Sequence, residues 1–398
     1  MRIDLGRFVQ KQRGNLRKFA RELPAPIRRQ LFYARGFGAG PMGLPRLPWK
    51  LAESDPDPEI VATFEGAFEP PKKARVFGPN AIVPRFVPLP KSTPLRIRRF
   101  ENIILLPHHV MLDKHGHILP ASLDLMASST WLTPAHQRGS MNYEFDGDVR
   151  AAQAVDEPVF VADCMHEAFG HTLMETIPKL AMLGGAPEGI KVATSARLYP
   201  ALIEGMGVAM ERVLPIRGPL FCKIAYVPDA PLDLTGNFHA VARAAFGRLE
   251  ALATQSAVEP KRRIYLSRAG VKFRRLHNET DVEALVRRYG FEVVRPEGYS
   301  IPDQIKLMLN ADMVIGPTGS NTHNLVYARP ETKALLLSSA HWFVDIDAYV
   351  SKADWQFAHV IGTPAPRRFG EDERSRSWTI DTGAVEQAIR EHFGLMPA

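Results

Sequence analysis

The stretch RRIYLSRAGVKFRRLHNETDVEALVRRYGFEVVRPEGYSIPDQIKLMLNADMVIGPTGSNTHNLVYARPETKALLLS, residues 262–338, decides the fold class. Short apolar or β-branched runs at RRIYLS (262–267), FEVVR (291–295), MVIG (313–316) and KALLLS (333–338) read as strands. Segments of helical spacing at 279–289, 302–310 and near 321–328 separate them. Strands alternating with helices predict a parallel sheet covered on both faces. Outward from this block, WQFAHVI (355–361) reads as another strand and 383–393 as a last helix. Upstream the same rhythm runs through strands NIILL (102–106), VFVA (159–162), KVAT (191–194), RVLPI (212–216) and KIAYV (223–227). Helices fit at 171–183, 196–206 and 238–254. Two consecutive blocks, split near Pro260, predict an α/β fold of two Rossmann-like domains, 96–258 and 259–398, facing a cleft.

The first hundred residues read differently. They hold 14 of the 33 prolines, which excludes mostly regular helix or central strand. Residues 37–95 are expected to be an irregular Pro-rich covering segment, with Asp55-Pro56-Asp57 as ordinary loop. Residues 1–36 carry ten Arg or Lys against two acids, a net +8, with loosely helical Leu and Phe positions ended by Pro24 and Pro26. The whole chain has a formal charge of +7, so residues 37–398 sum to −1. The basic character thus belongs to the arm, and a near-neutral body argues against a nucleic-acid-binding domain. The arm suits an anionic membrane surface or a solvated helix on the body. Hydrophobic content of 45% and charged content of 23% fit a globular chain rather than a disordered one. Two cysteines, Cys164 and Cys222, exclude a disulfide framework and a four-cysteine zinc site. No apolar run reaches the roughly 18 residues of a spanning helix, and the start lacks an apolar signal core, so a cytoplasmic location is expected.

Three segments carry candidate chemistry. In ADMVIGPTGSNTHNLVYA (311–328) a strand runs into Gly316-Pro317-Thr318-Gly319-Ser320 and then a helix. Such a loop lies where open α/β sheets bind ligands, and its small residues and N–H groups suit a diphosphate. A tight turn capped by Ser320 or Asn321 explains the same residues. The pattern is neither GxGxxG nor GxxxxGK[ST]. In IYLSRAGVKFRRLHNE (264–279), Arg268, Arg274 and Arg275 follow a strand end, where guanidinium forks suit phosphate oxygens; a solvated basic loop is the alternative. Asn278, Glu279 and Asp281 at the next helix start read as cap and dipole partners or as donor contacts.

In VFVADCMHEAFGHTLMETIPKL (159–180), His171 and Glu175 are one helical turn apart and share a face. A carboxylate there can orient an imidazole that serves as general base; a satisfied core histidine is the alternative. His166-Glu167 with His171 resembles a zinc-protease HExxH, but one residue too many places the histidines about 140° apart on a helix. Asp345-Ile346-Asp347 has the form of a metal–nucleotide DxD triplet, set among aromatic residues.

Taken together, these segments resemble glycosyltransferase family 61, whose members include bacterial capsular-polysaccharide-type transferases, plant β-1,2-xylosyltransferases and eukaryotic O-linked N-acetylglucosaminyltransferases. The resemblance runs from about residue 155 to 340 and is carried by Ser267-Arg268, Arg275, Asn278-Glu279, Gly290-Phe291, Gln304, Ala311, Gly316, Gly319 and Asn324, with His171, Glu175 and Pro178 upstream. Members often have His where this chain has Thr318. The resemblance implies a GT-B-like arrangement, with a last helix crossing back to the first block. It implies an inverting transfer from a nucleotide-diphosphate sugar to a glycan or lipid-linked acceptor in surface polysaccharide synthesis, with no cofactor and no essential metal. His171 and Glu175 would be the catalytic pair; the alternatives are a non-catalytic nucleotide-sugar or glycan-binding assembly protein and a zinc hydrolase using His166, Glu167 and His171. Arg268, Arg275, Asn278, Glu279, Gly316, Thr318, Gly319, Ser320 and Asn324 would bind the donor. The expected place is the cytoplasm, peripheral on the inner face of the cell membrane.

Overall fold

The computed structural model describes residues 49–50, 58–69, 74–78, 94–114, 117–123, 135–137, 142–145, 152–232, 238–341, 346–347, 356–366 and 376–397. The basic arm, Asp55-Pro56-Asp57 and Asp345 lie outside them. The apolar runs form two sheets. The first is eight-stranded: β1 (Glu59–Phe64), β2 (Leu95–Leu106), β3 (Val110–Leu112), β4 (Gln153–Val155), β5 (Val159–Val161), β6 (Lys191–Thr194), β7 (Val213–Pro215) and β8 (Leu220–Pro228). Its order is β7-β6-β5-β8-β2-β1, with β3 beside β2 and β4 beside β8. β5 pairs in parallel with β6 (Val159 opposite Lys191) and with β8 (Val159 opposite Ala225), whereas β8 meets β2 antiparallel.

The second sheet is seven-stranded: the short strand Arg75–Phe77, then β9 (Arg263–Leu266), β10 (Glu292–Val294), β11 (Met313–Pro317), β12 (Lys333–Ser339), β13 (Phe357–Pro364) and β14 (Trp378–Thr379). The order is β10-β9-β11-β12-β13-β14, all parallel except the last pair, with Arg75–Phe77 parallel to β13. The segment expected as irregular cover thus supplies Glu59–Phe64 to the first sheet and Arg75–Phe77 to the second, while Trp49–Lys50 and Phe68–Glu69 join two smaller sheets.

A helix over residues 169–180, α1, follows β5. It starts as Phe169–His171, opens into a π turn at Thr172–Thr176 and closes as Ile177–Leu180. Pro178 has no N–H to offer and its ring crowds the carbonyl one turn back, which a wider turn relieves. Further helices are α2 (Pro200–Gly205), α3 (Ala240–Leu249), α4 (Glu279–Arg287), α5 (Ile301–Asn310) and α6 (Thr382–Ala388). The stretch near 321–328 forms a 3-10 helix, Thr322–Tyr327.

Lys50–Ala398 forms one compact unit. Side chains alternate across the strands with the two-residue period of the pleat. Phe160 of β5, Val314 of β11 and Leu336 of β12 enter the largest apolar cluster, which takes residues from both sheets and from α1. Val159 and Val161 face a second cluster beneath β2 and β8. Ile315, Leu335 and Leu337 face a third, where Val385, Ala388, Ile389 and Phe393 of the last helical segment pack. That segment lies on its own sheet, with Phe77 and Phe291, rather than crossing back to the first block.

Candidate active site

In the second sheet, β9 is flanked by β10 on one side and β11 on the other, so the chain leaves their carboxyl ends in opposite directions and opens a crevice. Arg268 sits there, directly after β9. Its N–H donates to Glu279 Oε1 at 2.6 Å, an oxygen that also accepts Tyr265 OH at 3.3 Å. Its guanidinium donates to Asn321 Oδ1 at 3.2 Å and lies against Gly319, where a Cβ would be 1.9 Å from Nη1. Only glycine leaves this space. Arg268 is buried; burial, then the nearby charge of Arg274, bring its pKa down to about 10, so it stays cationic at neutral pH.

The two following arginines part company. Arg274 takes a left-handed backbone (φ 52°), and its half-buried side chain acts electrostatically on both Arg268 and His171. Arg275 is exposed, and its carbonyl accepts the Trp378 N–H at 3.0 Å. Asn278 does not cap α4. Its amide donates to Ile380 O at 2.8 Å and accepts from Ile380 N at 3.1 Å, tying β14 to the helix start. Glu279 is buried, and burial raises its pKa.

In the loop after β11, Gly316 packs tightly on β9, with room for a Cβ only 3.0 Å from that of Leu266. The Thr318 N–H is held by Leu337 O at 2.9 Å and the Gly319 N–H by Thr322 Oγ1 at 3.2 Å, so these two groups are engaged within the protein. Asn324 is buried and donates to Gln304 Oε1 at 2.9 Å and Asn321 O at 3.2 Å. Ser320 remains half-buried at the loop surface.

In the first sheet the order also reverses, between β5 and β8. Asp163 ends β5 as a buried anchor. It accepts the His109 N–H at 2.7 Å, the Ser195 N–H at 2.6 Å and the Ser195 hydroxyl at 2.7 Å. Burial raises its pKa against these bonds. His108 and His109 both have positive φ, 67° and 61°, a conformation that costs about 1–3 kcal/mol per residue unless surroundings fix it. The fully buried Lys179 of α1 donates to Asp163 O at 2.8 Å and lies 3.2 Å from His109 Nδ1. This network holds the turn between β2 and β3 against the loop after β5.

On that support stand three imidazoles in a row: His108 and His166 have ring centroids 6.2 Å apart, His166 and His171 5.6 Å. His171 Nδ1 lies 2.6 Å from Glu175 Oε1, and Glu175 Oε2 accepts the Met165 N–H at 2.7 Å. A carboxylate only accepts, so His171 Nδ1 carries the proton and Nε2 presents its lone pair. Burial opposes charging of His171 but Glu175 outweighs it, and the pKa is raised despite Arg274. That of His166 is lowered, by burial and by His171 and His108.

The two sheets bring these parts together at Gly170. A Cβ there would lie 2.4 Å from His323 Cδ2, 2.9 Å from its Nε2 and 2.9 Å from Ser320 Oγ. His323 in turn holds Asp347: Nδ1 to Oδ1 is 2.6 Å, and Thr322 Oγ1 to Oδ2 is 2.6 Å. Of the DxD triplet, Asp347 is thus a buried partner of a histidine and a threonine. The sequence assigns no site role to Gly170 or His323, and it offers Arg274 as a phosphate candidate that the donor set implied by the resemblance leaves out. Nothing local separates Arg274 from Arg275, and His323 gains its meaning from a carboxylate 24 residues away.

Among the described residues, no group of three or more His, Cys, Asp or Glu is arranged to hold a metal ion, and no helix is long and apolar enough to cross a membrane. Comparison with curated proteins finds no match to this chain. Residues 169–335 match the family model described as Glycosyltransferase 61, a span that begins beside Gly170 and contains His171, Glu175, Arg268, Arg274 and the loop to Asn324, and the match supports a glycosyltransferase of family 61.

Proposed function

We propose that this chain is an inverting glycosyltransferase that moves a sugar from a nucleotide-diphosphate donor to a hydroxyl of a glycan or lipid-linked acceptor, in the manner of the capsular-polysaccharide type. The observation that carries the reading is the closure at Gly170. It sets the His171–Glu175 pair of one sheet beside the loop on which Arg268 of the other sheet rests. In this GT-B-like reading the second sheet takes the donor and the first the acceptor.

Arg268 and Arg274 meet the diphosphate as buried or half-buried cations, aimed where negative charge grows as the leaving group departs. His171 Nε2 takes the proton of the attacking hydroxyl, and Glu175 stabilises the imidazolium that results. Charge neutralisation by guanidinium groups gives the site a metal-independent route. The N-terminal arm, net +8, places the enzyme on an anionic inner membrane face, where each basic residue contributes about 1 kcal/mol. Thermal unfolding of the full chain with a panel of nucleoside diphosphates and their sugars tests the reading, because a ligand of the native state raises apparent stability. One nucleotide class should raise Tm, and its sugar should be transferred or hydrolysed. A panel with no stabilising nucleotide overturns the reading.

A further inference from the structure

We propose that His323 is a second catalytic histidine, which donates a proton from Nε2 to the phosphate oxygen that leaves the sugar. The inference rests on the transfer reading above and adds a residue to it. His323 and Asp347 form a pair built like His171 and Glu175. The carboxylate of Asp347 is almost fully buried, with 2% of its side chain exposed, and both its oxygens are engaged, one by Nδ1 and one by Thr322 Oγ1, each at 2.6 Å. The ring therefore cannot rotate without leaving a buried carboxylate oxygen unpartnered, a loss of the costly kind. Nδ1 donates to Asp347, so Nε2 is the nitrogen left for chemistry, and it is a donor when the ring carries both protons.

Among the described residues Nε2 has no hydrogen-bond partner. It sits where a Cβ on Gly170 would come within 2.9 Å, at the seam between the two sheets. The same loop carries Gly319, on which the Arg268 guanidinium rests, and Thr322 bonds both Gly319 and Asp347. Nε2 is thus tied, through one short rigid segment, to the cation that meets the diphosphate. His171 follows Gly170 directly, so two histidine–carboxylate pairs flank one glycine, one from each sheet.

Their duties are opposite. The bond between the sugar carbon and the phosphate oxygen breaks, and its electron pair stays on the oxygen. That oxygen receives the proton from His323 Nε2. The acceptor oxygen forms the new bond to the sugar carbon and gives its proton to His171 Nε2. One proton is lost by His323 and one gained by His171, and exchange with water restores both.

Steady-state kinetics of the full chain and its His323→Gln and Asp347→Asn variants test the proposal. The probe is the nucleotide sugar, among the uridine, guanosine, cytidine and adenosine diphosphate sugars, that wild type turns over. His323→Gln should lower kcat by about 10²-fold or more, with KM and nucleoside diphosphate affinity nearly unchanged. Asp347→Asn, which loosens both the ring and Thr322, should give a smaller loss in kcat, again with KM nearly unchanged. A near wild-type kcat for His323→Gln overturns the proposal, and so does a loss of kcat matched by an equal loss of nucleoside diphosphate affinity. If both variants bind nucleotide and turn over normally, the transfer reading stands and His323 drops out of it. A wild-type chain that neither binds nor turns over any of these sugars overturns both.

Discussion

The α-carbon of Gly170 faces the ring of His323 so closely that a methyl group on it would lie 2.4 Å from Cδ2. The start of the helix after β5 and the loop after β11 therefore meet without room for a side chain. This approach seats the His171–Glu175 pair against the loop after β11.

Gly170→Ala should force the seam apart. Overpacking of this kind costs about 1–3 kcal/mol. The expected result is a lower Tm together with a fall in turnover larger than the fall in nucleotide affinity, since Arg268 and its loop are displaced little. Thermal unfolding, calorimetry and kinetics of one preparation check it. Unchanged Tm and turnover would mean that the seam opens freely.

Arg268→Ala should weaken binding of the bare nucleoside diphosphate by roughly 10- to 150-fold, the range for a charge-assisted bond of about 1.5–3 kcal/mol. Gly319→Ala should reproduce much of this loss without touching a charge, because its methyl group occupies the space of the guanidinium, 1.9 Å from Nη1. Calorimetry with the diphosphate reads both. Normal affinity in a folded Gly319→Ala chain would mean that Arg268 binds from another position.

Arg274 and Arg275 should separate. Arg274→Ala removes a half-buried cation that acts on Arg268 and His171, and both nucleotide affinity and turnover should fall. Arg275→Ala removes an exposed side chain whose backbone carbonyl does the structural bonding, and both should stay near wild type. The reverse ranking would return the donor contact to Arg275.

His171→Ala should lower kcat by about 10²–10⁴-fold with diphosphate affinity nearly intact, and Glu175→Gln by less. The pair also has a signature in stability. The His171 pKa is raised in the folded chain, so its charge interaction with Glu175 stabilises fully below the unfolded value of about 6.5 and is lost as pH rises through the folded one. Glu175→Gln should therefore depress Tm more at about pH 6 than at about pH 9. An equal depression at both would detach the pair from that charge.

Much of the fold was readable because sheet and helix periods are local. KVAT coincides with β6, and the apolar runs at 313–316 and 333–338 differ from β11 and β12 by a single terminal residue. Reading fell short where charge hid a strand. Only NIILL was recognised of β2, because its first half, LRIRRFE, alternates arginines on the less buried side with Leu95, Ile97 and Phe100 on the core side. The proline-rich segment likewise read as cover, yet Glu59–Phe64 and Arg75–Phe77 are edge additions to two different sheets, a choice made by partners far along the chain.

The sequence alone determined the α/β rhythm, the strand ends at Asp163, Arg268 and Gly316, and the His171–Glu175 pair, since each is set by neighbours within about one helical turn. Tertiary structure decided the rest. The left-handed backbone at Arg274 separates it from Arg275, Asn278 becomes a tie to Ile380 rather than a cap, and Asp347 becomes the partner of His323. Each outcome depends on which groups two packed sheets place within hydrogen-bond reach. That reach is fixed by close packing between distant segments, for which the chain carries no local period.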